Sequence, residues 1–185
     1  MLAWASSVMA TPVTIDVDGS PDSWVVLTPT YGDTTISADL ADLDSILEFS
    51  LDDNESRTID FFTISVTDPG SGLFDLTANL NLDAPDLNAA GNGAGAWFGT
   101  ATFTSGQIYW DDPVQEFILA DGNILSIAME QGATFVLEPN AEITIHATIT
   151  NLGGAPVPEP STILLLGSGL LGLVGYNRKR FSKKS

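Results

Sequence analysis

Apolar and polar residues alternate along most of positions 11–152, in short runs broken by turn-forming residues, and a period of two predicts strands. The clearest run is 141–150, AEITIHATIT. Ile143, Ile145, Ala147 and Ile149 fall on one face and Thr144, His146, Thr148 and Thr150 on the other, which is the pattern of a half-buried strand. Runs 114–120 and 123–129 flank Asp121-Gly122, predicting a hairpin closed by a two-residue primed turn. Further strands are expected at 13–17, 24–28, 47–51, 58–66, 73–82, 97–103 and 107–110. Pro69-Gly70-Ser71-Gly72 reads as a loop, and NAAGNGAG at 88–95 reads as a mobile surface loop with little apolar surface to bury. Leu40, Leu43 and Leu47 have helical spacing within 38–51, which sets a short helix or helical crossover against the strand reading there. About nine or ten short strands without an amphipathic helix predict an all-β body, an antiparallel β-sandwich of immunoglobulin-like or jelly-roll type.

The two ends read differently. Val157-Pro158-Glu159-Pro160 precedes sixteen uncharged residues, 161–176, of which eight are Ile, Leu or Val and four are Gly; Arg178-Lys179-Arg180 follows. As a helix this stretch is about 24 Å long, which spans a bilayer with some thinning and with snorkelling of the flanking bases. The basic end stays cytoplasmic by the positive-inside bias, leaving the body outside. Pro158 and Pro160 fix φ and disfavour helix in the residues before them, so the chain meets the membrane extended, as a protease cleft requires. Glu159 holds that segment at the outer surface, because a carboxylate does not sink into hydrocarbon. At the amino end, MLAWASSVMA is apolar and closes on small residues suited to signal-peptidase cleavage after Ala10; it lacks a basic start and reads as a truncated signal peptide. The expected organisation is therefore 1–10 signal peptide, 11–152 acidic body, 153–160 Gly/Pro linker, 161–177 transmembrane helix and 178–185 basic cytoplasmic tail.

A Val-Pro-Glu-Pro segment, a short Gly/Leu-rich hydrophobic stretch and an Arg-containing cluster, in that order from 156 to about 181, resemble the PEP-CTERM sorting signal. The resemblance implies recognition by an exosortase, a membrane protease with a catalytic cysteine, with Pro158, Glu159 and Pro160 as the recognition element and removal of the tail nearby. It further implies an exported protein that passes through the inner membrane to the cell surface or extracellular matrix. Because the family is common in bacteria that make exopolysaccharide, a structural or adhesive matrix role is implied as well.

Charge narrows the partners. All 24 acidic residues precede position 161, where Arg57 is the one base; the other five bases lie between Arg178 and Lys184, for a net charge of −18. A body so acidic repels phosphate, which argues against nucleic acid. With no cysteine, thiolate metal sites, thiol catalysis and disulfides are excluded. His146 is the single histidine and has no Gly-x-Ser-x-Gly elbow to accompany it, so an exposed strand histidine is expected rather than a triad member. No cofactor is expected. Ca²⁺ is the cation that oxygen-rich acidic loops would take, with Asp16, Asp18 and Asp22 as weak candidates that do not fit an EF-hand, and through it an anionic exopolysaccharide is a candidate partner.

Trp97-Phe98 and Tyr109-Trp110 each send one ring inward and one outward, so a stacking platform for sugars forms only if both outer rings share a sheet; core packing is the expected use. The function expected is a non-enzymatic structural, adhesive or polysaccharide-associated module. The alternative is a carbohydrate-active enzyme with two carboxylates about 5–10 Å apart in a groove flanked by Trp97 or Trp110, drawn from sets such as Asp52, Asp53 and Glu55 or Asp111, Asp112 and Glu116.

Overall fold

Where large apolar residues alternate with polar ones, the expected strands form. The structure is a computed structural model that describes residues 12–32, 36–100, 104–132, 134–137, 142–154 and 167–170. The chain divides after Gly154 into two units. The first contains strands β1 (Val13–Asp18), β2 (Trp24–Gly32), β3 (Ile36–Leu40), β4 (Phe49–Leu51), β5 (Ser56–Val66), β6 (Gly70–Ala84), β7 (Leu87–Gly99), β8 (Thr104–Trp110), β9 (Val114–Ile118), β10 (Asn123–Met129), β11 (Thr134–Leu137) and β12 (Glu142–Gly154).

They make two antiparallel sheets, one in the order β3-β5-β12-β10-β9 and one in the order β11-β8-β7-β6-β1-β4. Strand β6 is 15 residues long and holds two partners end to end on one edge, β2 along its residues 72–79 and β1 along 81–84. The inward residues of both sheets join in one apolar cluster that includes Ile15, Phe61, Phe62, Phe74, Ile127 and Ile149. Across it, Phe62 of β5 meets Trp110 of β8 edge to face, ring centroids 6.2 Å apart, so the sheets pack face to face.

Strand β12 keeps the expected alternation, with Ile145, Ala147 and Ile149 buried. Its partner β5 breaks step at Phe61-Phe62, both wholly buried although adjacent; the register shifts opposite Ile145 and His146, a bulge that turns two neighbouring rings inward. Asn151, fully buried near the end of β12, donates from Nδ2 to the Leu51 carbonyl of β4 (3.0 Å) and accepts at Oδ1 from the Gly153 amide (2.9 Å). One side chain thus ties the two sheets together just before the chain leaves the body.

Four expectations are corrected. Residues 88–95 are no surface loop but most of β7, paired with β6 over all 13 of its residues and with β8 from Gly93 onward. The alternation is present there, with Ala89, Gly91, Gly93 and Gly95 inward, but small residues carry it. They are small because rings lie on them. A Cβ on Gly91 or Gly93 would come 3.1 Å from Trp110 Cε3, and one on Gly95 would lie 2.2 Å from Phe74 Cζ.

Likewise residues 70–72 begin β6 rather than forming a loop. The 38–51 segment yields β3, a single 3-10 turn at Leu43–Ser45 and β4 in place of a helix. Of Leu40, Leu43 and Leu47 only Leu43 is fully buried, and Leu47 is exposed, so no helical stripe reaches the core.

The β9–β10 hairpin forms as expected, but its turn spans 119–122, closed by the Gly122 amide donating to the Leu119 carbonyl (3.0 Å), with only Gly122 at positive φ, +90°. That is a turn ending in a left-handed glycine, not a primed turn centred on Asp121-Gly122, which needs positive φ at Asp121 as well or instead. The strand expected at 97–103 ends at Gly99, and 101–103 lie outside the described residues.

In the second unit, residues 167–170 are helical. The rest of the expected 161–177 span, Val157 to Pro160, Arg178 to Arg180 and the 1–10 decapeptide lie outside the described residues. Among the described residues no helix is long and apolar enough to cross a membrane.

Candidate functional site

Alternation decides which aromatics reach solvent. Trp97 and Trp110 point into the core, 4% and 3% exposed, while Phe98 and Tyr109 point out, 54% and 50% exposed, and both stand on neighbouring strands of one sheet. Neither tryptophan therefore flanks an open groove, which corrects the setting expected for a carboxylate pair: the inward glycines of β7 draw the Trp110 ring onto the inner face. On the outer face, register aligns Tyr31 of β2, Leu73 of β6, Ala96 of β7 and Gln107 of β8 in one row, and Asp75, Ala94 and Tyr109 in the next. Tyr31 and Leu73 are exposed as well. The small side chains of Ala94 and Ala96 leave a shallow track between taller neighbours, with Phe98 at its end, opposite Ser71 and Ser105.

A second feature is acidic. Asp16 and Asp18 share the outward face of β1 and, with Asp44 and Asp83, line an open cleft of about 170 Å³. Asp44 is held there by accepting from the Gly19 amide (2.9 Å), and Asn81 donates to Asp18 (3.4 Å). Asp22, on the turn after β1, is hydrogen-bonded to Asp18 and repelled by its charge, which raises the Asp22 carboxyl above the ordinary value of 3.8. Of the sequence candidates, Asp16 and Asp18 therefore share the cleft with Asp44 and Asp83, while Asp22 meets Asp18 without lining the cleft. Among the described residues no three His, Asp or Glu side chains are placed to hold a metal ion.

A raised native pKa means the native state favours the protonated carboxyl, so that stabilisation is present at low pH and lost as pH rises through the native value. Asp22→Asn, which keeps a donor toward Asp18 without the charge, is accordingly expected to raise the melting temperature at pH 7, with the gain shrinking as pH falls toward 4 in a thermal-melt series. A variant less stable than the parent at pH 7 would refute the repulsion.

His146 stands on the solvated face of β12, as expected, but between two carboxylates: Nδ1 lies 2.8 Å from Glu130 Oε2 and Nε2 3.4 Å from Asp60 Oδ1. A histidine base in a triad keeps one ring nitrogen toward its nucleophile; here both face carboxylates. Glu55 accepts from the Asp52 amide (2.8 Å) and so serves the turn between β4 and β5.

The contributions of Tyr31, Leu73, Asp44, Asp83, Asp60 and Glu130 escape sequence reading. Alternation gives each residue a face, but register between strands distant in sequence decides its neighbours.

No curated protein and no solved structure matches the chain. The family model described as the PEP-CTERM protein-sorting motif matches residues 156–179, within the 156 to about 181 span on which the resemblance was drawn. The chain is on that ground a protein carrying a PEP-CTERM sorting motif at its carboxyl end.

Proposed function

We propose that this is an exported protein whose tail is recognised by an exosortase and removed near Pro158 to Pro160, leaving the acidic body at the cell surface or in the extracellular matrix. The match at 156–179 carries that reading, since it covers the Pro-Glu-Pro segment, the hydrophobic stretch and the first two bases of the cluster together. The body's role is non-enzymatic: a structural or adhesive module associated with polysaccharide. Two features support this role. The body is built of two packed antiparallel sheets, and its net negative charge keeps an exported domain soluble at high local concentration.

The membrane steps follow from the tail's chemistry. Its hydrophobic stretch holds the precursor in the inner membrane and the bases at 178–180 keep that end cytoplasmic, so the extended Pro-Glu-Pro segment is presented outside. The test is to express the full chain behind a complete signal peptide in an exosortase-bearing host and measure intact mass and location. A surface or secreted product ending close to Pro160 is expected. A full-length product lodged in the inner membrane would overturn the sorting assignment and the matrix role with it.

A further inference from the structure

We propose that the outer face of the seven-stranded sheet, along the alanine track of β7 between Tyr31, Leu73, Phe98 and Tyr109, binds a neutral polysaccharide. This rests on the polysaccharide-associated reading of the body and names both the surface and the polymer class.

Shape comes first. Strands β6 and β7 run side by side for 13 residue pairs, so the face is long, and it is floored by Ala90, Ala94 and Ala96 rather than by bulky residues. Tyr109 lies opposite Ala94, four residues along β7 from Phe98, or about 13 Å at the usual rise per residue, room for more than one linked sugar ring. A sugar ring offers C–H groups on its faces and hydroxyls at its rim. Exposed aromatic rings meet the first, and the outward Thr77, Asn92, Ser105 and Gln107 meet the second.

Charge selects the polymer. The described outward residues of β2, β6, β7 and β8 on this face carry two charges, both negative: Asp75, and Asp83 at the far end of β6 beside the acidic cleft; the body's one base, Arg57, is engaged elsewhere with its guanidinium 4.1 Å from the Phe49 ring centroid. An anionic polymer would meet no cation here and would approach a strongly negative body. A second copy of the chain would bring the same negative charge against it. A neutral polymer meets neither penalty. The inference thus departs from the anionic polysaccharide that the acidic composition first suggested.

Affinity gel electrophoresis of the full chain in a non-ionic detergent tests this, using hydroxyethylcellulose and carboxymethylcellulose, which share a backbone and differ in charge. Retardation is expected in the neutral polymer and not in the anionic one. Phe98→Ala with Tyr109→Ala is expected to weaken it about tenfold or more, and Tyr109→Phe to retain it. Because both rings are half exposed, the double variant is expected to melt with the parent, which separates lost binding from lost folding.

Equal retardation of the double variant would remove the face and leave polysaccharide association standing. No retardation in either polymer would remove both. Retardation in carboxymethylcellulose alone, abolished by chelator, would move binding to the acidic loops. Self-association lost in the double variant would assign the face to a second copy.

Discussion

Gly95→Ala is expected to destabilise the body by about 2–3 kcal/mol, the middle to upper part of the range for overpacked cores. In a chain of this length that lowers the melting temperature by roughly 5–10 °C. The added Cβ would lie 2.2 and 2.6 Å from Phe74 Cζ and Cε2 and 2.7 Å from the Gln107 carbonyl oxygen. Phe74 is fully buried, so its ring has nowhere to swing, and Gln107 contributes backbone that is paired within the sheet. Against this stands the conformational entropy that alanine saves over glycine in a strand, about 0.5–1 kcal/mol, which is too small to reverse the sign.

Were 88–95 a solvated loop, the same substitution would be neutral or stabilising, so the sign of the change separates the two descriptions. Phe74→Leu in the Gly95→Ala background provides the control. Shortening the ring relieves the clash, and the double variant is expected to be less destabilised than the sum of the singles in urea melts. Additive losses would mean that the ring is not what forbids the Cβ.

The same strand shows what kind of signal sequence patterning misses. Hydrophobic alternation marks β12 because Ile145, Ala147 and Ile149 fill the core themselves, and it fails at β7 because there the core is filled from the neighbouring strands, by Phe74 and Trp110, over inward glycines. In β7 residues 89, 91, 93 and 95 on the inward side are all small, and the outward ones from 88 to 96 are only Asn and Ala, which reads as low complexity. The error at 38–51 is of the opposite kind. Three leucines at helical spacing mimic a stripe, but Leu40 ends a strand, Leu43 sits on a single 3-10 turn and Leu47 faces solvent.

Adjacent Phe61 and Phe62 interrupt the alternation of their run. Two consecutive large apolar residues in an otherwise alternating run need either a bulge or an exposed ring, and the structure takes the bulge.

For the candidate sites, legibility depended on range. The sorting motif is local, three features within 24 residues, and is readable without any fold. That one ring of Trp97-Phe98 and one of Tyr109-Trp110 would face outward is equally local. That the two outward rings share a sheet, with Tyr31 and Leu73 arriving beside them from β2 and β6, is a matter of register over tens of residues and was legible only in the structure. The acidic cleft repeats the lesson, since Asp44 and Asp83 reach Asp16 and Asp18 from separate segments.

Replacing Pro158, Glu159 and Pro160 together by alanine is expected to abolish release of the body, leaving full-length chain in the inner membrane of an exosortase-bearing host. Each change removes a different element of the presentation. Alanine in place of the prolines removes the restriction on φ and lets the hydrophobic helix extend backward through the segment, since alanine is the best helix former and proline the worst by about 3 kcal/mol. Loss of Glu159 removes the charge that keeps the segment at the water interface, so three apolar residues lengthen a stretch otherwise short for the bilayer.

Both changes bury the cleavage region as helix, a form a protease cleft does not accept. The body gives the control, because its unit ends at Gly154. Its melting temperature is expected to match that of the parent, so retention is not a folding defect. Glu159→Gln, which keeps both prolines, separates extended shape from charge: intermediate release would assign part of the recognition to the carboxylate. Full release of the triple variant, by intact mass of the secreted product, would show that the protease reads the hydrophobic stretch and its basic end without the Pro-Glu-Pro segment.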